Sequence, residues 1–223
     1  MLRYGLLCLL WCEVAQAEPV SYFYSDLPPY EFSTVEGQAD GIGIDHVRRV
    51  LTAAGFQPQF QLFSLQRGLN ALQNGIDFSA LVAPTPAQHQ QFHISQWPVY
   101  SVELGVVRLR TGKRLSALTQ LQHYPYLALS DTRFLYLLQR PELAAFTVKR
   151  YDIPSLNDAY RLLLSGRYDY LLCYHASHQV LSNPMLVFDA FESLPVHLVL
   201  SRRHPDALRL MQRVDAVLNQ SKD

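Results

Sequence analysis

Ser64-Leu65-Gln66-Arg67-Gly68-Leu69-Asn70-Ala71-Leu72-Gln73-Asn74-Gly75-Ile76-Asp77-Phe78-Ser79-Ala80-Leu81-Val82 is the stretch that decides the fold. Ser64 can accept one of the free amide N–H groups at a helix start. Gly75 can take the positive φ that ends a helix. The stretch 77–82 reads as a strand. Ninety-one residues later the arrangement returns: Ser155-Leu156 opens a helix, Gly166 ends it, and Asp169-Tyr170-Leu171-Leu172-Cys173 follows. Serine to glycine spans eleven residues both times. Extended segments at 60–63 and 148–153 precede the two copies. The chain therefore holds two similar strand–helix–strand units, one in each half.

The pattern continues outward from these units. Residues 20–24, β-branched and aromatic, read as a strand, as do 59–63, 102–109, 126–129, 185–188 and 196–200. Ile44, Val47, Val50 and Leu51 line one face of a helix that Gly55 stops. Further helices are expected at 115–121, 132–138 and 205–218. Strands alternating with helices give an α/β fold with largely parallel sheets. Two such units suggest two lobes, with crossings at 100–105 and 192–198.

The amino terminus reads as an address. Arg3 precedes the apolar run 4–12, and Ala15-Gln16-Ala17 supplies small residues before a cut. That run is too short to span a bilayer, which needs about 20 residues. Cleavage after Ala17 leaves a mature chain from Glu18, exported and soluble. Cys173 is then its lone cysteine, so no internal disulfide is expected; its apolar neighbours predict a buried, inert thiol.

Composition narrows the partners. The 223 residues are 49% hydrophobic and carry 19 basic against 19 acidic side chains, which argues against nucleic acid. With 13 Tyr and 11 Phe, rings are available for a binding surface. The sequence lacks Gly-x-Ser-x-Gly, a phosphate loop and His-Glu-x-x-His. His89 and His93, four apart in a possible helix, and His175 and His178 have chelating spacings without further ligands nearby, so neither metal nor cofactor is expected. Asp152, Asp158 and Asp189 read as surface or capping residues.

Asp26-Leu27-Pro28-Pro29-Tyr30-Glu31-Phe32, with Gly37, Gly41 and Asp45, resembles the opening of the bacterial solute-binding proteins of family 3. The resemblance continues through Leu72-Gln73-Asn74-Gly75-Ile76-Asp77, Thr85, Ser95, Pro98 and Tyr100, then Leu164-Ser165-Gly166-Arg167-Tyr168-Asp169 and Leu200-Ser201. It implies a two-lobed periplasmic-binding-protein-like fold with a two-strand hinge: lobe 1 from 18–102 plus 194–223, lobe 2 from 103–193. It further implies a periplasmic monomer that grips a small molecule between its lobes and serves an ABC permease or a membrane sensor.

Two departures stand out against the amino-acid binders. Where these carry an arginine for the ligand carboxylate, counting from Thr85 places Gln88, or His89 with a one-residue slip. Where they carry an acid for the ammonium, counting from Asp169 places Tyr174; the usual Gly-Thr appears as Asp131-Thr132. Leaving a buried charge without its partner costs about 3–5 kcal/mol, and a micromolar complex has only about 8 kcal/mol in total. An ordinary α-amino acid held the family's way is thus disfavoured. Arg67 or Arg133 could take a carboxylate instead and Asp131 an ammonium, while Tyr30, Trp97 and Tyr174 offer rings and hydroxyls for a polar or aromatic solute. The candidate ligand-binding set is Asp26, Tyr30, Arg67, Thr85, Gln88, Trp97, Asp131, Thr132, Arg133 and Tyr174.

Two rivals share the scaffold. A dehydratase-like enzyme would use a shielded Asp26 or Asp131 as general acid. A sensory module would signal to a membrane receptor; the short tail after the last helix, 219–223, leans slightly that way.

Overall fold

A computed structural model describes residues 17–129, 146, 148–180 and 183–220. Residues 1–16, read in the sequence as part of a leader, and the segment carrying Asp131, Thr132, Arg133 and the expected helix 132–138 lie outside the described residues.

The first unit is built on β1 (Glu18–Tyr24), the helix α1 (Ile42–Ala53), β4 (Phe56–Leu62), α2 (Leu65–Asn74) and β5 (Phe78–Val82). A two-stranded hairpin, β2 (Phe32–Ser33) with β3 (Ala39–Asp40), lies between β1 and α1. β1 pairs in parallel with both β4 and β5. Alternation along β1 sends Tyr22 and Tyr24 to one core cluster and Phe23 to another. Against the first face lie Ile44, Val47 and Leu51, all on the apolar face of α1 read in the sequence. Against the other lie Leu72 of α2 and Phe92, so the strand is covered on both sides.

After β5 come the short α3 (Pro86–Gln91), β6 (Phe92–Ile94) and the long β7 (Tyr100–Leu109). The second unit follows as β8 (Tyr126–Leu129), β9 (Arg150–Ile153), α4 (Leu156–Leu164), β10 (Tyr170–Tyr174) and the short α5 (His175–Val180). β8 pairs in parallel with β9 and β10. The chain returns through β11 (Leu186–Ser201) and closes with α6 (Ala207–Gln220).

Several expectations change on contact with the structure. The separate strands at 185–188 and 196–200 are one 16-residue β11, because β7 pairs along Leu186–Val196 with an irregularity only between Ala190 and Glu192. The helix expected at 115–121 is a 3-10 turn at Leu118–His123; Asp189 binds the Leu115 N–H at 3.0 Å and only Leu118 and Leu121 of the turn are buried. α3 ends at Gln91, so His89 and His93 do not share a helix. Of the two capping serines, Ser155 accepts the Asp158 N–H at 3.1 Å, whereas Ser64 makes no side-chain cap. Asp189 is not at the surface: it is 6% exposed and paired with Arg108.

Candidate ligand cleft

Strand direction places the site. The sheet order is β4-β1-β5-β11-β7-β10-β8-β9, with β6 also on β11. β11 is antiparallel to β5 and to β7, and β10 is antiparallel to β7. The parallel strands of the first unit therefore run opposite to those of the second. Val82, at the carboxyl end of β5, stands beside Val196, itself opposite Tyr100. Tyr174, at the carboxyl end of β10, stands beside Leu104. The two sets of carboxyl ends thus face one another across the four residue steps from Tyr100 to Leu104, roughly 13 Å at the usual rise per residue. Ligands of open α/β sheets sit beyond such ends.

Tyr30 occupies this gap. Pro28 and Pro29 interrupt the chain after β1, and Leu27 bridges to Glu31, turning Tyr30 inward to 5% exposure. Gly41 holds the loop closely: its φ is 120°, and a Cβ there would lie 2.4 Å from the Tyr30 carbonyl oxygen. The Gly43 N–H donates to that same oxygen at 2.7 Å. The Tyr30 ring stacks on Tyr100 at 6.3 Å and meets Tyr174 edge-on at 5.9 Å.

Among the described residues, hydrogen bonds cross from the first unit to the second. The Ser177 Oγ donates to the Pro28 carbonyl at 3.2 Å. The Tyr30 hydroxyl accepts the Ala176 N–H, and burial nevertheless pushes its pKa up to about 12. Beside them, His175 Nδ1 lies 2.9 Å from Glu103 Oε2 and its ring stacks on Phe188 at 4.8 Å. Sequence reasoning missed Glu103 as a cleft neighbour; its only signal was its position at a strand crossing.

Thr85 and Gln88 are brought together, but by each other. Thr85 Oγ1 accepts the Gln88 N–H at 3.3 Å, and Gln88 Oε1 accepts the Thr85 N–H at 2.8 Å. This capping box starts α3 just after Ala83, which holds a φ of 39° that side chains rarely adopt. Asp26 is exposed in the loop after β1, and Arg67 is exposed on α2. Trp97 lines a cavity between α1 and α6 whose wall includes none of Tyr30, Tyr100 and Tyr174. Cys173, fully buried in β10, has its thiol pushed up to about 12 by desolvation, as an inert core residue should.

Residues 22–223 match the family of bacterial extracellular solute-binding proteins, family 3. Comparison with curated protein sequences finds no match. The arginine-bound form of truncated ArgBP from T. maritima superposes with a TM-score of 0.67 at 19% identity, covering 94% of this chain and 99% of that one. The ancestral amino acid-binding protein AncCDT-1, a precursor of cyclohexadienyl dehydratase, gives 0.70 at 18%, covering 94% and 92%. A histidine kinase sensor domain with similarity to periplasmic binding proteins gives 0.70 at 19%, covering 92% and 90%. At these identities the likeness is one of fold, and the fold is two-lobed α/β. Among the described residues no helix is long and apolar enough to cross a membrane. With its opposed strand ends and its match over residues 22–223, the chain belongs to the bacterial extracellular solute-binding proteins, family 3.

Proposed function

We propose that this protein captures a small polar or aromatic solute between lobe 1 (18–102 plus 194–223) and lobe 2 (103–193), outside the cytoplasm after cleavage behind Ala17, and hands it to an ABC importer. The observation that carries this reading is the make-up of the facing strand ends. The Tyr30 ring contacts those of Tyr100 and Tyr174 there, and of Gln88 and His89, the two residues that counting from Thr85 places where the amino-acid binders carry an arginine, Gln88 is committed to its capping box. Rings and hydroxyls suit an aromatic or weakly charged guest better than a zwitterion. The candidate contacts are Tyr30, Thr85 and Tyr174, with Asp131, Thr132 and Arg133 from the second lobe.

A sensory role on the same cleft is the second reading, favoured by the likeness to a histidine kinase sensor domain. The dehydratase-like reading is weakened at Asp26, which is exposed rather than in the shielded setting a carboxylic general acid needs.

The chain from Glu18, titrated calorimetrically with aromatic acids, aromatic amines, polar heterocycles and the common amino acids, tests the proposal. Micromolar binding of an aromatic or polar solute, weakened at least tenfold by Tyr174→Ala, is expected. Tight binding of arginine or another α-amino acid, or no binding across the panel, would overturn it.

A further inference from the structure

Lobe 1 carries a second concavity, outside the cleft. Where α1 and α6 meet, Trp97, Pro98 and Val99 of the segment between β6 and β7 join them in lining a partly open cavity of about 580 Å³. That volume lies within the range of small-molecule sites, about 300–1,000 Å³. Val50, Val99 and Val217 supply apolar wall, and Trp97 supplies an aromatic one. The charged or titratable side chains on the wall are His46 and Arg49, three residues apart on α1 and so on one face.

The nearby acids are engaged elsewhere. Asp45 of α1 pairs with Arg48 at 2.7 Å. Asp215 of α6 accepts the Gln96 N–H at 2.7 Å. Burial, with Arg49 nearby, lowers the His46 pKa, leaving Arg49 as the cation of the wall at neutral pH. The wall thus joins an apolar, aromatic surface to one guanidinium.

We propose that this cavity is a second binding site for a small amphipathic carboxylate, whose aromatic or branched body packs on Trp97 and Val99 while its carboxylate pairs with Arg49. A planar guanidinium takes a carboxylate through two parallel hydrogen bonds, which a neutral amide cannot reproduce. Arg49 is exposed, so burial of the apolar body supplies most of the affinity and the ion pair supplies discrimination.

The protein carries its own reporter. Its two tryptophans are Trp11 and Trp97, so in the chain from Glu18 the indole fluorescence comes from Trp97 alone. That chain is titrated with 3-phenylpropanoate, 4-methylpentanoate and the neutral 3-phenylpropanamide. Both acids are expected to change the emission saturably, and the amide to bind at least tenfold more weakly than its acid. Arg49→Gln should lower acid affinity about tenfold and leave the amide unaltered. Ala53→Phe, which fills the cavity from its rim, should abolish the response, with circular dichroism confirming that both variants fold. No saturable change with either acid, equal affinity for acid and amide, or acid binding unaltered in either variant would overturn the proposal.

Discussion

Arg108 and Asp189 grip one another across β7 and β11 in two parallel bonds, Nε to Oδ2 at 2.7 Å and Nη2 to Oδ1 at 3.1 Å. Both are nearly sealed from solvent, at 8% and 6% exposure. The pair is satisfied on every side: Arg108 Nη1 donates to the carbonyls of Leu109, Arg110 and Gly112, and Asp189 accepts the Leu115 N–H. It ties the loop after β7 to the strand that returns to lobe 1.

Removing one partner strands a buried charge. Asp189→Ala should cost about 3–5 kcal/mol, whereas the paired change Arg108→Met with Asp189→Leu should recover most of it. Urea unfolding of the three variants measures both. A loss below about 1 kcal/mol in the single variant would show that the pair is hydrated.

Glu18 predicts an acid dependence. Hydrogen bonds from Arg209, then from Arg213, hold its carboxyl at about 2 against an ordinary 4.5. The folded state binds this proton more weakly than the unfolded chain, so the stabilisation is complete above pH 4.5 and fades as pH falls toward 2. Glu18→Gln should therefore flatten the fall of thermal midpoint between pH 5 and 3. At pH 7 it should cost less than about 1 kcal/mol, because these side chains are about a third exposed or more. An unchanged pH profile would contradict the assignment.

The Ser177 and Tyr30 bonds between the lobes should bias closure. Ser177→Ala and Tyr30→Phe each delete one, at about 1 kcal/mol apiece. Small-angle scattering of the double variant should show a larger radius of gyration with unchanged circular dichroism. If the radius stays put, these hydrogen bonds do not set how far the lobes close.

Gly41→Ala tests the placement of Tyr30 without touching it. The new methyl group would collide with the Tyr30 carbonyl in a backbone conformation that alanine rarely adopts. A loss of about 1–3 kcal/mol is expected, along with weaker solute binding in the cleft, by calorimetry. Full affinity would mean that Tyr30 does not help shape the cleft.

The strand–helix–strand units were legible because their signals are local. Hydrophobic period, a serine ahead of each helix and a glycine behind it act within a dozen residues, and both helices lie where they were read, α2 at Leu65–Asn74 and α4 at Leu156–Leu164. The Thr85 capping box was also written in the chain, as Thr-Pro-Ala-Gln, although those residues were read as ligand contacts.

Sequence by itself thus determined the α/β order, the doubled unit and the family, since each follows from short-range pattern. Tertiary structure alone decided the neighbours. Trp97 belongs to the cavity between α1 and α6, Asp189 to a buried pair with a residue 81 positions away, and Tyr30 to the seam between lobes. A side chain's partners depend on which strands run beside it, and strand pairing across a hinge is set by packing of the whole sheet.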